Sequence, residues 1–450
     1  MLKQNQIASA PLNVAGSTCD ALMPFNGDLL GRKATAEILT GYIDRLKVGA
    51  VIAIDAPWGE GKTWLGRNWA NFLRKSNRKT IYIDAFQQDY VSDPFLLIAS
   101  EIAQLLEGDE STKLAFIDKA ATVGKAILPA AAKLLVDGVG RFALGTAGLS
   151  ETISSEMKSI VSELGGITET MVAEKIQDYD KEKNSIASFR KLLASYAEKQ
   201  PNPVVIFIDE LDRCNPRFAV SLVERIKHFF EVQNIVFVLL INRTQLEGAV
   251  RGVYGSETDA STYLGKFIHL GLSLPNPRTG GEIGFNRIQQ YVNKVLSNFT
   301  IEQYDNSING FVDALPHFAI DYKLSLRDIE RACALFVLSG CRYGALMAHL
   351  VSLKLKYPDL FGRVRAMNRS ACGEVSDLLK NFAEQFQPGN STWHKSNLNV
   401  LSSAYRSLDG EISIDVKPDD QSNYRNFFGH GDWKLVMESA NRALDLPMDF

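Results

Sequence analysis

Short apolar runs rich in Val and Ile alternate with longer segments of helical periodicity over the first 275 residues. Runs of this kind are typical of parallel strands that are buried on both faces of a sheet. They predict strands at residues 51–55, 80–86, 204–209, 235–241 and 263–270. Because the strands alternate with helices, we expect an α/β fold in which helices cover both faces of a parallel sheet.

Two of the predicted helices flank the first two strands. One lies within residues 28–46, and the other begins at Asp93-Pro94, where Asp is a favoured N-cap and Pro is tolerated in the first turn. The helix within 28–46 is expected to turn one apolar face inward. That face contains Ile38, Leu39, Tyr42, Ile43 and Leu46.

Beyond a segment dense in turn residues, 275–281, the periodicity is helical only. The chain is therefore divided into four parts. These are an N-terminal arm (1–24), an α/β core (25–275) with a helical insertion at about 112–200, a helical lid-like domain (282–362) and a C-terminal region (363–450). The last region mixes aromatic and polar residues and carries no recognisable chemistry.

The Ala- and Gly-rich segment 119–149 invites comparison with a membrane span. Lys125, Lys133, Asp137 and Arg141 interrupt it at multiples of four residues, which places them on one face of a helix. No uninterrupted apolar run of about 18 residues remains. We expect no integral membrane segment, and a peripheral contact through this segment stays open.

Composition adds little about partners. The 450 residues include 49 Lys and Arg and 52 Asp and Glu, a formal net charge of −3. This balance does not indicate a nucleic-acid partner, although it is compatible with a local basic patch. The five cysteines are dispersed and form no Cys-x-x-Cys pair. We expect a cytoplasmic protein with reduced cysteines and no structural zinc site.

The first candidate chemistry lies directly after the first strand. Residues 56–63, Ala-Pro-Trp-Gly-Glu-Gly-Lys-Thr, connect a strand to a helix, which is the arrangement of a phosphate-binding P-loop, with Ala56 in place of its first glycine. Backbone N–H groups of such a loop bind phosphate oxygens, Lys62 would reach the β- and γ-phosphates, and Thr63 would ligate Mg²⁺. The residues predicted to bind the nucleotide are Trp58, Gly59, Glu60, Gly61, Lys62, Thr63 and Trp64. The helix within 28–46 is expected either to pack before the first strand or to lie beside the adenine.

The second candidate chemistry is the acidic end of the strand at 204–209. The carboxyl edge of a parallel sheet is where ligands bind, and both Asp209 and Glu210 lie at this edge. Asp209 is predicted to hold Mg²⁺ together with Thr63, and Glu210 to orient or deprotonate the attacking water. For Asp212 and Arg213, the alternative to a functional role is an ion pair at the surface, which would contribute little to stability.

Polar residues elsewhere complete the predicted catalytic set. Asn242 follows the strand at 235–241, where it would either sense the γ-phosphate or form an ordinary turn. Arg327 and Arg331 lie four residues apart and point the same way from their helix. Either would supply a cation to the transferring phosphate, and Arg213 or Lys266 of a neighbouring subunit are alternatives.

On these motifs the chain resembles a KAP-type P-loop NTPase, within the AAA+/STAND-like division that has an extra strand between the P-loop strand and the acidic strand. The resemblance rests on residues 58–63 and 207–214, with support from 263–268, 326–331 and 353–361. It covers about residues 25–362. It implies a three-layer αβα parallel sheet followed by a C-terminal helical domain.

The resemblance also implies a function. KAP-type proteins bind ATP with Mg²⁺ and hydrolyse it, commonly in bacterial defence against phages or in membrane-linked signalling. Many members insert transmembrane helices where this chain has 119–149, and they often carry Asp where it has Asn242. Expected partners are further copies of the chain or an effector protein.

Two functions from different classes stay open. The first is an ATPase whose hydrolysis cycle drives a conformational or oligomeric change. The second is a nucleotide-gated interaction switch that binds ATP, hydrolyses it poorly and recruits an effector through the C-terminal region. Glu210 favours the ATPase, because a binding module needs no carboxylate at the position of the attacking water. A small-molecule kinase is disfavoured because the sequence contains no recognisable phosphoacceptor lid.

Overall fold

The computed structural model describes most of the chain outside the predicted arm and insertion. The described residues are 22–46, 48–91, 93–106, 110–127, 187–227, 232–279, 281–299, 306–340, 342–385, 392–408, 421–429 and 432–444. Nearly all of the arm and most of the Ala- and Gly-rich segment 119–149 lie outside these residues. None of the helices in the described part of the chain is long and apolar enough to cross a membrane.

The elements alternate as predicted up to residue 275 and are helical afterwards. The first part contains α1 (Arg32–Ile43), β1 (Ala50–Asp55), α2 (Lys62–Lys75), β2 (Thr80–Asp84), α3 (Pro94–Leu105), α4 (Glu110–Ile127), α5 (187–198), β3 (Val204–Asp209), α6 (Pro216–Ile226), β4 (Ile235–Ile241), α7 (Arg243–Tyr254), α8 (Ala260–Gly265) and β5 (Leu270–Ser273). The second contains α9 (Glu282–Leu296), α10 (Asn306–Asp321), α11 (Leu326–Leu338), α12 (Gly344–Lys356), α13 (Pro358–Arg365), α14 (Arg369–Glu384), α15 (Thr392–Leu408), α16 (Gln421–Phe428) and α17 (Trp433–Ala443).

The five strands form one parallel sheet in the order β2-β3-β4-β1-β5. Strand β4 therefore lies between β1, which leads into the glycine loop, and β3, which ends in the acids. The register pairs Asp84 with Asp209 and Asp55 with Ile241. Because the strands are parallel, their carboxyl ends meet at one edge, where the loop and the acids come together.

Helices cover both faces of the sheet, which confirms the predicted three-layer α/β fold. Successive residues of a strand face opposite sides. Val51 and Ala53 of β1 pack in the apolar layer with α3 and α6, whereas Ile52 and Ile54 pack with α1 and α2. Burial on both faces explains why the strands read as almost continuous apolar runs.

Two local predictions were wrong. Residues 263–270 form the end of α8, a turn and the first residue of β5, because Asp259 caps α8 by accepting a hydrogen bond from the Thr262 amide at 3.0 Å. Strand β5 begins only where Leu270 pairs with Ile52 of β1. In α1, Leu39 and Ile43 are buried as expected, but Ile38 and Tyr42 are exposed. The buried face of α1 instead includes two polar residues, Arg32 and Thr40.

The helices after β5 share one hydrophobic core. Its buried residues run from Ile288 of α9 to Leu444, just beyond α17. It therefore includes side chains from both predicted C-terminal parts, 282–362 and 363–450, and the division between those parts stays a prediction. Helix α11 begins with a capping box: the Ser325 hydroxyl accepts from the Asp328 amide at 3.1 Å, and the Asp328 carboxylate accepts from the Ser325 amide at 3.0 Å.

Candidate functional site

The loop between β1 and α2 has the backbone geometry that anion binding needs. Gly59 and Gly61 have φ angles of 82° and 81°, the left-handed region that glycine adopts without strain. Helix α2 starts directly after Gly61, so its first N–H groups and its positive dipole end belong to the loop. These features fit a phosphate group.

The Lys62 ammonium lies inside the loop. It donates hydrogen bonds to the carbonyl oxygens of Ala56 at 2.6 Å and Pro57 at 3.2 Å. Burial lowers the pKa of Lys62 below its ordinary value, and the carboxylates of Asp212 and Asp209 oppose that shift. The Lys62 ammonium is thus a buried donor whose present acceptors are neutral carbonyl oxygens. Phosphate oxygens in their place would form stronger, charge-assisted hydrogen bonds.

Asp209 lies at the centre of the acidic edge and is only 1% exposed. Its Oδ1 accepts from the Glu210 amide at 2.8 Å, and its Oδ2 accepts from the Tyr82 hydroxyl at 2.6 Å. Burial raises the pKa of Asp209, and the Tyr82 hydroxyl, the Thr63 hydroxyl and the Glu210 amide counteract the rise. The structure therefore brings the predicted metal residues, Thr63 and Asp209, close together.

The chemistry of this pair fits Mg²⁺. A hydroxyl and a carboxylate are hard oxygen donors, and Mg²⁺ usually takes one or two such protein ligands and completes its shell with water and phosphate oxygens. Within the described ranges, His, Cys, Asp and Glu side chains form no group of three or more suited to a metal. At this pair Mg²⁺ would take its remaining ligands from water and phosphate oxygens.

Glu210 is held in an unusual conformation beside Asp209. Its φ of 58° lies in the left-handed region, which costs a non-glycine residue about 1 kcal/mol. Its Oε1 forms an ion pair of 2.8 Å with Arg213. Burial raises the pKa of Glu210, and Arg213 opposes the rise. The side chain is therefore close to the candidate metal residues but occupied by an arginine.

The ion pair considered between Asp212 and Arg213 is not formed. The short 3₁₀ turn Leu211–Arg213 brings Arg213 back to Glu210, three residues earlier. Asp212 instead accepts a hydrogen bond from the indole N–H of Trp58. This contact joins the glycine loop to the segment that follows the acidic strand.

Two other predicted nucleotide-binding residues turn their side chains away from the loop. Glu60 is buried and pairs with Arg278 at 2.7 Å. Trp64 packs edge-on against Phe25 with ring centroids 5.8 Å apart. Any contribution of Glu60 and Trp64 to phosphate binding would come from their backbone N–H groups.

Asn242 acts as the N-cap of α7, its side-chain oxygen accepting from the Gln245 amide at 3.4 Å. The turn role considered for it is therefore present in the structure, and a contact with the γ-phosphate stays a prediction. Lys266 lies over the ring of Tyr263 at 5.9 Å and does not line the cleft beside the glycine loop.

That cleft, of about 680 Å³, lies between the glycine loop and the helical region. The Arg327 amide donates to the Gly59 carbonyl at 3.2 Å, so the N-terminus of α11 rests on the loop. Arg327 and Arg331 both line the cleft, as expected for residues that share one helix face. Further cations on its wall are Arg278, Lys323 and Lys356. The cleft is suited to an anionic ligand.

Sequence reasoning missed Tyr82, Arg32 and Arg278. Tyr82 lies in a predicted strand but carries no motif. Arg32 is almost fully buried and donates to the carbonyl oxygens of Pro275 at 2.7 Å and Glu60 at 3.2 Å, while burial lowers its pKa to about 10. Arg278 belongs to the turn-rich segment that had been interpreted only as a boundary. The sequence feature that points to both arginines is a charged residue within a segment predicted to be a packing helix (Arg32) or a turn (Arg278).

A parallel sheet in this order, with a glycine loop after β1 and acids at the end of β3, defines a P-loop NTPase. The profile of the KAP family P-loop domain matches residues 32–306, more than half of the chain. The chain therefore belongs to the KAP family. No curated protein matches its sequence.

Two solved structures are similar over most of their length but at low scores. One is the ORC2 protein of Aeropyrum pernix in ADPNP–ADP complexes, with 11% identity over 96% of this chain and 97% of that chain and a TM-score of 0.35. The other is AMPPCP-bound DnaA from Aquifex aeolicus, with 12% identity over 92% of this chain and 87% of that chain and a TM-score of 0.31. Similarity of this degree carries no inference about the site.

Proposed function

We propose that this KAP-family protein binds ATP together with Mg²⁺ and hydrolyses it to drive a conformational or oligomeric change. The observation that carries the proposal is that Thr63 and Asp209 lie close together, with Lys62 and Glu210 beside them. It brings the glycine loop, the Thr63 hydroxyl and the carboxylates of Asp209 and Glu210 to one edge of the sheet. Phosphoryl transfer to water needs these groups in one place.

In this proposal the residues have separate roles. Lys62 exchanges its bonds to the Ala56 and Pro57 carbonyls for bonds to phosphate oxygens. Thr63 and Asp209 would hold Mg²⁺, which would neutralise charge on the phosphates. Glu210 releases Arg213 and accepts a proton from the attacking water. Its raised pKa brings Glu210 closer to the pH range in which a general base works best.

The cations beside the loop would complete the site. Arg327 and Arg331 line the cleft next to Gly59 and are our candidates for the cation that stabilises the transferring phosphate. Asn242, at the end of β4, is the candidate for a polar contact to the γ-phosphate or the attacking water. Arg213 of a neighbouring subunit stays an alternative if the protein assembles into oligomers.

Calorimetric titration of ATP in the presence of Mg²⁺ tests the nucleotide site. Replacing Lys62 with Ala removes a charge-assisted phosphate contact and should weaken ATP binding by about 30-fold or more. Lys75→Ala is the matched control, because Lys75 lies on the same helix but is exposed and donates to the Leu22 carbonyl at 3.2 Å. Equal ATP affinity of the Lys62→Ala variant and the wild type would refute the proposal.

A nucleotide-gated switch is the second candidate function. It is favoured by the ion pair between Glu210 and Arg213, which occupies Oε1 of the candidate base. In a switch this pair would persist with ATP bound, and hydrolysis would be slow. Steady-state phosphate release, measured with and without DNA, phage components or a high protein concentration, separates the two functions.

The biological role proposed here rests on the family resemblance. We propose a cytoplasmic ATPase of bacterial defence against phages or of signalling, which acts as a homo-oligomer or with an effector protein. The described cysteines Cys214, Cys333 and Cys372 are buried and not in disulfides, which supports a reducing compartment. Plaque formation on cells that express the wild type or the Lys62→Ala variant tests the defence role, since protection should require ATP binding.

A further inference from the structure

Glu60 is a P-loop residue whose charged side chain is buried in the protein. Its carboxylate is 6% exposed, with Oε1 2.7 Å from the guanidinium of Arg278. Its Oε2 is also buried and has no hydrogen-bond partner among the described residues. Burying a carboxylate is costly unless a cation accompanies it. Arg278 is therefore the cation that pairs directly with the Glu60 carboxylate, and the Arg32 guanidinium also lies near it.

Arg278 has a second partner in the helical region. Its other terminal nitrogen donates to the carbonyl oxygen of Leu324. Leu324 directly precedes Ser325, the N-cap of α11. A guanidinium is planar and presents several donors in fixed directions, so one arginine joins two acceptors rigidly. A single side chain thus connects the P-loop to the start of α11.

The same two elements also touch directly on the other side of the loop. The Arg327 amide donates to the Gly59 carbonyl at 3.2 Å. A Cβ atom added to Gly59 would lie 2.7 Å from the Ser325 hydroxyl oxygen, so the helix start leaves room only for glycine. Arg32 supports the arrangement by donating to the backbone oxygens of Glu60 and Pro275. The loop is therefore enclosed between α11 and segment 275–278.

We propose that Arg278 is a positioning residue that fixes the P-loop for phosphate binding and transmits nucleotide binding to α11, an inference that rests on the proposed ATP site. Glu60 lies between two glycines with positive φ, where the backbone is most able to adjust. When phosphates bind and this loop moves, Glu60 moves with it, and Arg278 passes the shift to Leu324. The same contacts limit the number of conformations of the unbound loop, which lowers the entropic cost of binding.

The test combines ATP titration with hydrogen exchange of the backbone amides of α11, residues 326–338, in the presence and absence of ATP. In the wild type, ATP should change exchange in α11 as well as in the P-loop. Arg278→Ala should bind ATP about tenfold more weakly and lose the α11 response. Arg278→Lys keeps the charge but cannot bridge two acceptors rigidly, so it should bind ATP nearly normally and still lack the response.

Arg363→Ala is the matched control. Arg363 pairs with Glu374 on the exposed surface of the helical region at 2.7 Å and does not line the cleft. This variant should keep both the ATP affinity and the α11 response, and should Arg278→Ala fail to fold, Arg278→Lys decides the question. A wild-type α11 response in both Arg278 variants overturns the inference alone. Failure of the wild type to bind ATP overturns the proposed function itself.

Discussion

The hydroxyl of Tyr82 donates a 2.6 Å hydrogen bond to Oδ2 of Asp209 across the neighbouring strands β2 and β3. The register pairs Tyr82 with Phe207, so Tyr82 reaches the residue two positions further along β3, on the same face of the sheet. The rings of Tyr82 and Phe207 stack with centroids 6.1 Å apart, which fixes the direction of the phenol. Burial and the nearby carboxylate raise the pKa of Tyr82, so its hydroxyl stays a donor.

Removing that donor should weaken metal binding. Tyr82→Phe leaves Oδ2 of Asp209 without its hydrogen bond, and loss of a partner that orients a metal ligand typically costs about tenfold or more in metal affinity. We therefore expect the variant to need about tenfold more Mg²⁺ to reach half-maximal ATP binding. A fluorescent ATP analogue titrated with Mg²⁺ measures this. Tyr196→Phe is the control, because Tyr196 donates to the Leu105 carbonyl at 3.2 Å. Identical Mg²⁺ curves for Tyr82→Phe and the control would contradict the prediction.

Replacing Glu210 should separate binding from hydrolysis. Glu210→Gln preserves the size of the side chain but removes the general base, so phosphate release should slow by about 10²-fold while ATP affinity is retained. Glu247→Gln is a close control: Glu247 also pairs with an arginine, Arg243, at 3.0 Å. It should hydrolyse ATP at the wild-type rate. Wild-type turnover of Glu210→Gln would favour the nucleotide-gated switch instead.

The two candidate arginines of α11 should differ in importance. Arg327 is bonded through its amide to Gly59 and lies one helical turn closer to the loop than Arg331. The Arg331 side chain is 58% exposed and lies 4.0 Å from Asp328. We expect Arg327→Ala to reduce kcat by about tenfold or more, as for a lost charge-assisted contact, and Arg331→Ala to reduce it less. Single-turnover hydrolysis measures both. The reverse order would assign the role to Arg331.

Buried histidines should make the helical region sensitive to acid. His349 lies between the hydroxyls of Tyr322 at 3.2 Å and Tyr405 at 3.0 Å, and burial lowers its pKa to about 3. Below the ordinary pKa of 6.5, the unfolded chain takes up a proton that folded His349 does not. The contribution of neutral His349 to the free energy of unfolding is therefore complete above pH 6.5 and is lost as the pH falls toward 3.

For each buried histidine of this kind, the free energy of unfolding should fall by about 1.4 kcal/mol for every pH unit by which the pH is lowered between 6 and 4. Urea unfolding at several pH values measures the slope. His349→Gln should lower the slope by about this amount. A second contribution should remain, because burial also lowers the pKa of His317 to about 3. If the slope of His349→Gln equals that of the wild type, His349 is not a source of the acid sensitivity.

Much of the fold followed from local patterns. A strand buried on both faces must be apolar at every position, so β3 and β4 were predicted with the bounds that the structure has. The P-loop was predicted because the glycines, Lys62 and Thr63 that bind phosphate are adjacent in the chain. The start of α11 is also local, since Ser325 and Asp328 cap it through neighbouring residues.

Tertiary packing decided where β5 begins and which distant residues contact each other in the site. Residues 263–270 are as apolar as a strand, but only pairing with β1 determined that β5 starts at Leu270. The contacts between Tyr82 and Asp209 and between Glu60 and Arg278 join residues 127 and 218 positions apart. No periodicity relates such pairs, because each depends on which strands and helices become neighbours in the folded chain. The amino-acid sequence by itself determined the fold class and the P-loop motif, whereas the partners of Asp209, Glu210 and Glu60 were decided by how the sheet and the helical region pack together.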